Sequence, residues 1–171
     1  MEHKKSAPLH VNFALLTIST SRYTQRKQGE PFTDASADLA TRLLIDSGHI
    51  AAVREVISDD SVMIRGSLAR LVADPRVEAV ITLGGTGITR TDVTVETVMP
   101  ILEKELPGFG ELFRRISYDQ IGSAAVLSRC TAGVIKGKAV FCIPGSPQAV
   151  ETALKMLIIP EVCHMLKHVR D

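Results

Sequence analysis

A glycine cluster and a nearby carboxylate are the residues of this sequence best suited to chemistry. Gly84, Gly85 and Gly87 surround Thr86 directly after an apolar run, and Asp92 follows closely. Glycines let backbone N–H groups approach the oxygens of a phosphate, so the cluster is a candidate anion-binding loop. It matches neither GxxxxGK(S/T) nor the first-turn GxGxxG pattern, which leaves a plain tight turn as the alternative.

Asp92 has two interpretations. It can cap the helix predicted from Val93 onward. It can also face the glycine cluster, where it would repel a phosphate unless a cation lay between them. An exposed helix N-terminus stabilises a nearby charge by only about 0.3–1 kcal/mol, too little to offset a triphosphate. A shared site would therefore imply Mg²⁺, held by one or two carboxylates and by phosphate oxygens.

Further candidates follow other apolar runs. Asp59 and Asp60 end the second run, and one of them can cap the next helix while the other faces a pocket. Residues 17–22 end the first run with small polar side chains and Arg22, a candidate anion contact. Ser128, Arg129 and Ser146 lie near other predicted strand ends, but their types alone assign them no role.

The elements that must position these residues alternate along the chain. Short apolar runs at residues 12–19, 50–57 and 77–83 predict strands. Polar segments with capping residues predict helices between them, over residues 34–47 and from Ser61 onward. This β-α-β-α-β order predicts an α/β fold with a parallel sheet, in which ligands bind beyond the carboxyl ends of the strands.

The remaining segments are assigned from composition and turn residues. We predict a polar loop over residues 20–31, a helix over 95–106, a break at 107–110 and a short helix over 111–116. Residues 133–143 are predicted as two strands or a hairpin, and residues 144–147 as a turn. A C-terminal helix is predicted from Gln148, interrupted or kinked at Pro160.

Length and charge exclude several classes of protein. The 171 residues suit one domain, with residues 1–10 as a flexible N-terminus. A net charge of +1 argues against a nucleic-acid-binding surface. No apolar run approaches the roughly 20 residues of a membrane span, and the start lacks the apolar region of a signal peptide. We expect a cytoplasmic protein.

The cysteines support a reducing compartment. The chain has 3 of them, Cys130, Cys142 and Cys163, with no CxxC spacing, which predicts free thiols. His164 and His168 beside Cys163 are possible zinc ligands, but further ligands are not apparent. An ordinary helix end is the preferred interpretation.

Five segments in fixed order resemble a known family. They are LGGTG at residues 83–87, TDVT at 91–94, PGFGE at 107–111, LSR at 127–129 and PGSP at 144–147. Together they resemble the molybdenum cofactor biosynthesis family that contains molybdopterin adenylyltransferase, the MoaB/MogA group. No single segment is specific, but the ordered set spans nearly the whole chain.

The resemblance implies a three-layer α/β/α sandwich with a mostly parallel central sheet, formed by a single molybdopterin-binding domain over residues 1–171. It also implies a homotrimer or homohexamer. Active members transfer AMP from Mg-ATP to the phosphate of molybdopterin and release pyrophosphate. Contact with the metal-inserting enzyme of the pathway is a further expectation. Because the family includes members thought to be inactive, a non-catalytic molybdopterin-binding protein stays as the alternative.

The resemblance also implies roles for residues. Asp59 and Asp92 are the candidate catalytic acids and the candidate Mg²⁺ ligands, and their presence favours the active class. The candidate nucleotide- and pterin-binding residues are Thr17, Ser19, Gly84, Gly85, Thr86, Gly87, Ser128, Pro144, Gly145 and Ser146. A nucleotide-binding module with no requirement for a pterin is the third possibility.

Overall fold

A computed structural model describes residues 9–170, and the expected flexible N-terminus lies largely outside these described residues. The strands are β1 (Asn12–Ile18), β2 (Ile50–Ile57), β3 (Ala79–Leu83), β4 (Lys104–Glu105), β5 (Thr131–Ile135) and β6 (Lys138–Ile143). The α-helices are α1 (Thr20–Gln28), α2 (Ala35–Asp46), α3 (Ser61–Ala73), α4 (Thr94–Val98), α5 (Pro107–Ile121), α6 (Pro147–Ala153) and α7 (Ile159–Arg170).

The strands form one sheet in the order β2-β1-β3-β6-β5-β4. The first four strands in that order are parallel, whereas β5 is antiparallel to β6 and β4 is antiparallel to β5. The carboxyl ends of β2, β1, β3 and β6 therefore share one edge of the sheet, where ligands of α/β proteins bind. This confirms the predicted α/β fold with a mostly parallel sheet.

Helices cover both faces of the sheet. Because successive strand residues point to opposite faces, Phe13 and Leu15 of β1 face one side while Ala14 and Leu16 face the other. The first side packs against helices α2, α5, α6 and α7, and the second against α3 and α4. The result is the expected three-layer sandwich. None of the described helices is long and apolar enough to cross a membrane.

In the first half of the chain, the structure confirms most of the predicted elements. Asp34 begins α2 by accepting a hydrogen bond from the Ala37 amide at 3.1 Å. Asp60 begins α3 by accepting one from the Met63 amide at 2.8 Å. Of the two adjacent acids, Asp60 is thus the capping residue, which leaves Asp59 for another role.

The prediction of a loop over residues 20–31 is wrong, because most of these residues form α1. Ser19 caps its N-terminus, and Gly29 ends it in the left-handed conformation with φ 70°. None of the residues of α1 is buried. The sequence therefore lacks the apolar periodicity by which helices are recognised, and only the capping residues indicate one.

Two predictions in the second half are wrong. The helix expected over residues 95–106 ends at Val98, followed by a 3₁₀ turn (Met99–Ile101) and the short strand β4. Pro100 lies in that 3₁₀ turn, and its missing N–H prevents a longer α-helix. The expected break at residues 107–110 is instead the first turn of α5, where proline is favoured. Residues 111–116 belong to this 15-residue helix.

The chain ends with a hairpin and an interrupted helix. β5 and β6 form a hairpin, one of the two arrangements predicted, with φ of 48° at Lys136 and 74° at Gly137 in its turn. After α6, a π-helical segment (Leu154–Ile158) leads into α7. Pro160 lies in the first turn of α7, so the predicted interruption occurs just before the proline.

Candidate active site at the carboxyl edge of the sheet

A cavity of about 330 Å³ lies beyond the carboxyl ends of β3 and β6, within the range of small-molecule sites. The loop after β3 contributes Gly85, Thr86, Gly87 and Asp92 to its lining. The turn after β6 contributes Pro144, Gly145 and Ser146. The opposite wall comes from α5 and from the 3₁₀ segment Gly122–Leu127 that follows it, with Phe113 and Ile121 among its apolar side chains.

The glycine loop needs glycine at its first two positions. Gly84 has φ 108° and Gly85 has φ 67°, a region that L-residues rarely adopt. A Cβ atom on Gly84 would lie 2.6 Å from the carbonyl oxygen of Ile18, and one on Gly85 would overlap Thr94 Oγ1. The loop thus lies tightly against β1 and the start of α4.

The turn after β6 packs against the same loop. A Cβ atom on Gly145 would lie 3.2 Å from Gly84 Cα. The Gly145 carbonyl accepts a hydrogen bond from Ser36 Oγ at 2.6 Å, which ties the turn to α2. Pro147 then begins α6 directly after Ser146. Helices on one face of the sheet therefore hold two neighbouring turns in fixed contact.

Asp92 faces the cavity as an ionised carboxylate. Its Oδ2 accepts hydrogen bonds from the hydroxyl and the amide of Thr89, at 2.6 and 2.9 Å. The hydrogen bond from the Thr89 hydroxyl is the main cause that lowers the pKa of Asp92, and partial burial opposes it. The residue that precedes α4 is Val93, and no side chain caps that helix. Asp92 is therefore not the helix cap that its position also allowed.

Asp59 lies at the same edge but does not line the cavity. Its Oδ2 accepts hydrogen bonds from the amide and hydroxyl of Thr20, at 2.8 and 2.9 Å, so it holds the start of α1. β2 and β3 are separated by β1, which at about 4.8 Å per strand puts their ends roughly 10 Å apart. The two candidate acids thus belong to two regions of one edge.

Thr17 and Ser19 also lie outside the cavity. The buried Thr17 hydroxyl donates to Asp34 Oδ2 at 2.6 Å and so supports the cap of α2. Ser19 Oγ accepts from the Arg22 amide at 3.5 Å and caps α1. Both hydroxyls have structural partners in the absence of any ligand.

The two serines predicted in the second half do line the cavity, but they differ in their hydrogen bonds. Ser146 Oγ accepts from the Ala149 amide at 3.3 Å and caps α6. Ser128 Oγ is buried and has no hydrogen-bond partner among the described residues, although it lies close enough to the Cys130 thiol to oppose the rise in that thiol's pKa. A buried hydroxyl without a partner is rare in a protein interior, and at a cavity it is available to a ligand.

Sequence reasoning gave no role to the apolar wall or to Thr94. Phe113, Gln120 and Ile121 of α5 line the cavity. Treating Pro107 as the first residue of a helix would have placed them on one element. Thr94 supports the glycine loop: its amide donates to the Gly85 carbonyl at 3.0 Å and its hydroxyl to the Gly84 carbonyl at 2.9 Å.

Metal-ligating side chains are sparse. Over residues 9–170, no group of three or more His, Cys, Asp and Glu side chains is arranged to hold a metal ion. His164 and His168 contact each other on α7, with Nε2 atoms 2.9 Å apart, which fits the ordinary helix end preferred from the sequence. A single carboxylate at the cavity, Asp92, fits the way Mg²⁺ is held when substrate phosphates supply other ligands.

Comparison with known proteins identifies relatives over the whole fold. The model of the family described as "Probable molybdopterin binding domain" matches residues 14–164. Molybdenum cofactor biosynthesis protein B of Bacillus subtilis is 43% identical over 170 residues, covering 99% of this chain and 96% of that protein. The probable molybdopterin adenylyltransferase of Methanocaldococcus jannaschii is 40% identical over 162 residues, covering 95% and 96%.

A solved structure agrees with these relatives. The crystal structure of the tungsten cofactor synthesizing protein MoaB from Pyrococcus furiosus superposes with a TM-score of 0.83 at 38% sequence identity. The match covers 96% of this chain and 100% of that one. The same domain therefore accounts for the full length of the relative.

Proposed function

We propose that this chain, which belongs to the molybdopterin-binding MoaB/MogA family, is a molybdopterin adenylyltransferase. Membership gives it a role in molybdenum or tungsten cofactor biosynthesis, and the relatives named molybdopterin adenylyltransferase support its assignment as an enzyme of the nucleotidyltransferase class. The finer proposal is that it transfers AMP from Mg-ATP to the phosphate of molybdopterin with release of pyrophosphate.

The cavity after β3 and β6 is the observation that carries this proposal. It joins a glycine loop, the ionised Asp92, the unpartnered Ser128 hydroxyl and an apolar wall that includes Phe113. A phosphorylated ligand with a planar ring could contact each of these features. Backbone amides suit its phosphates, the hydroxyl suits a polar ring edge, and the wall suits the ring face.

The second region of the edge is where we place a second substrate. Asp59 and Thr20 lie at the ends of β2 and α1, on the far side of β1 from the cavity. A transferase must hold two molecules with their reacting groups adjacent. We assign the pterin ring to the cavity wall and Ser128, the nucleoside to the region around Asp59, and the phosphates of both substrates to the glycine loop between them, with Asp59 orienting the phosphate that joins them.

The chemistry requires positioning rather than a nucleophilic side chain. A phosphate oxygen of molybdopterin attacks the α-phosphorus of ATP, and the bond from that phosphorus to the bridging oxygen of the β-phosphate breaks. Pyrophosphate leaves with the electron pair. Loop amides stabilise the phosphate oxygens as their charge is redistributed. Burial raises the pKa of the Cys130 thiol to about 11, which makes it unsuited to attack.

Asp92 would hold Mg²⁺ through a carboxylate oxygen, whereas Asp59, the second metal ligand expected from the sequence, lies in the other region of the edge and is left to orient a phosphate. When bound, the ion neutralises charge on the phosphates. Asp92 is suited to this because the hydrogen bond from Thr89 favours its ionised form. The chain's own contribution is to keep this carboxylate charged beside the glycine loop.

Assembly is the remaining part of the proposal. Several apolar side chains on and after α5 are exposed, among them Leu112 at 55%, Val126 at 78% and Leu127 at 53%. A surface of this kind supports contact between copies of the chain, as a homotrimer or homohexamer. Light scattering of the purified protein measures the assembly directly, and a monomer would count against it.

The function is tested with purified protein, Mg-ATP and molybdopterin. We expect pyrophosphate and adenylyl-molybdopterin in equal amounts, and neither when the pterin is left out. Saturable pterin binding without pyrophosphate would instead identify a non-catalytic binding protein. ATP binding that is unaffected by the pterin would identify a nucleotide-binding module. α,β-Methylene-ATP is the matched control, since it binds like ATP but cannot release pyrophosphate.

A further inference from the structure

The side chain of Arg129 joins the glycine loop to the residues just before β5. Its Nε donates to the Thr86 carbonyl at 3.3 Å, and its Nη2 donates to the Gly87 carbonyl and to the Asp92 carbonyl, the latter at 3.4 Å. One guanidinium therefore holds both ends of the segment between Thr86 and Asp92. No other side chain type offers as many donors in a rigid plane.

Thr94 and Arg129 together donate a hydrogen bond to every carbonyl of the motif at residues 84–87. Thr94 donates to the first two carbonyls and Arg129 to the last two. The chain has no cis peptide bonds among its described residues. In a trans peptide the N–H points away from the C=O, so the amides that follow these carbonyls point away from Thr94 and Arg129.

The outward amides match the arrangement of the cavity. Gly85, Thr86 and Gly87 line it, and within residues 9–170 the amides of Gly85 and Thr86 have no hydrogen-bond acceptor. Gly87 and Thr89 amides both favour the charged form of Asp92. Arg129 thus lies on the carbonyl side of the loop, and Asp92 and the ligand site lie on its amide side.

Glu96 of α4 orients Arg129 in turn. Its Oε1 pairs with Nη1, and its Oε2 accepts from Nη2 at 3.3 Å, a two-point contact between planar groups. The hydrogen bond from Arg129 lowers the pKa of Glu96. The pair is half-exposed, with side-chain exposures of 31% and 54%, so its main effect is geometric rather than a large gain in stability.

We infer that Arg129 is a positioning residue for the phosphate-binding loop, with Glu96 as its support. It fixes the peptide between Thr86 and Gly87, whose amide donates to Asp92, so that Asp92 keeps its place beside the free amides of Gly85 and Thr86, which follow the two carbonyls held by Thr94. The inference rests on the proposed function for the identity of the ligand, Mg-ATP. The arrangement of the loop itself is a property of the free protein.

The test compares Arg129→Ala, Arg129→Lys and Glu96→Gln with a matched control, Arg70→Ala. Arg70 also forms an arginine–glutamate pair, with Glu55, but contacts no part of the loop. Calorimetry measures Mg-ATP affinity, thermal unfolding measures stability, and NMR hydrogen exchange in the ligand-free protein measures the order of loop amides 85–88.

We expect Arg129→Ala to weaken Mg-ATP binding by about tenfold, the equivalent of one hydrogen-bonded charged group, and to speed amide exchange across the loop. Arg129→Lys should recover only part of the affinity, and Glu96→Gln should lose less than Arg129→Ala. Millimolar guanidinium should restore binding to Arg129→Ala and leave the wild type unchanged. A merely structural role would lower stability without this rescue.

Two results would overturn the inference: unchanged loop exchange in Arg129→Ala, or Mg-ATP affinity within twofold of the wild type with no response to guanidinium. Failure of the proposed function appears separately. In that case the wild type forms no adenylylated pterin, or does not bind Mg-ATP. The exchange measurement on the free protein still decides whether Arg129 orders the glycine loop.

Discussion

The Thr94 hydroxyl oxygen lies so close to the position of a Cβ atom on Gly85 that the two would overlap, and it donates to the Gly84 carbonyl at 2.9 Å. The first residue of α4 therefore supports the glycine loop from within, at a distance that no side chain on residue 85 would allow. The loop and the helix are a single unit, in which the glycine is needed for space as well as for backbone conformation.

Substitution at Gly85 separates these two needs. Gly85 and Gly29 have nearly the same φ, 67° and 70°, but a Cβ atom on Gly29 would meet nothing within 4 Å. In each alanine variant the free energy of unfolding should fall by about 1–2 kcal/mol, because alanine is unfavourable in the left-handed conformation. Gly85→Ala should lose further stability and most of its ligand affinity, because it displaces Thr94. Equal losses of stability in urea unfolding of the two variants would contradict the steric role.

Most elements of the first half are predictable because each carries its own signal. β1, β2 and β3 are short apolar runs, and Asp34 and Asp60 mark the helix starts. α1 was missed because it buries no residue, so its sequence has no apolar face. For α5 the sequence predicts only the part over residues 111–116, because Pro107 reads as a break, although proline at a first helical position is common.

The site was predictable only in part, because sequence order differs from sheet order. The chain forms β1, β2 and β3 in succession, but β1 lies between the other two in the sheet. Residues after β3, including Asp92, therefore meet the turn after β6, whereas Asp59 after β2 lies beside α1. The side-chain contacts of Arg129 join residues distant in sequence, and no local pattern indicates them.

The two cavity serines should respond differently to removal of the hydroxyl. Ser128→Ala removes a buried oxygen that has no partner, so the free energy of unfolding should change little or rise slightly. Its affinity for molybdopterin should fall about tenfold, the value of one hydrogen bond to a ligand. Ser146→Ala removes the cap of α6 and should cost about 1 kcal/mol of stability.

Chemical denaturation and pterin fluorescence titration check both serine variants. A Ser128→Ala protein that loses stability but keeps its pterin affinity would show that this hydroxyl serves the fold. The same pair of measurements on Ser146→Ala supplies the comparison, since that side chain has a known partner in the Ala149 amide.

His49 should make the fold sensitive to mild acid. Its ring is buried against Phe13, and its Nδ1 accepts a hydrogen bond from the Val11 amide at 3.2 Å. Burial is the main cause that lowers its pKa, and His10 adds to the effect. The unfolded chain therefore binds the proton more readily, so the free energy of unfolding should decrease as pH falls below about 6.5.

Urea unfolding between neutral and mildly acidic pH measures this dependence. His49→Asn keeps a hydrogen-bond acceptor for Val11 but does not titrate, so its stability should vary less with pH. His10→Asn is the matched control and should keep most of the dependence, because burial of His49 is the larger cause. Identical pH profiles for His49→Asn and the wild type would remove His49 as the source.

Asp59 poses the sharpest question about the proposed mechanism, because one oxygen of its carboxylate already has two donors. Asp59 Oδ2 accepts from both the amide and the hydroxyl of Thr20. A loss of turnover on substitution can thus come from a displaced α1 or from a missing charge beside the phosphates. Asp59→Ala cannot separate these causes, since it removes both.

Asp59→Asn and Thr20→Val separate them. Asp59→Asn keeps an oxygen acceptor for the Thr20 amide and removes the charge, so we expect near-normal stability and turnover reduced by roughly 10²–10⁴. Thr20→Val keeps the charge but removes a hydroxyl that also bonds Ser58 Oγ and accepts from the Asp59 amide, so we expect a loss of at least about 0.5–1.5 kcal/mol of stability with turnover within a few-fold of normal. Pyrophosphate release and thermal unfolding provide the two readouts. Equal losses of turnover in both variants would make Asp59 a support of α1, and normal turnover in Asp59→Asn would remove its charge from the mechanism.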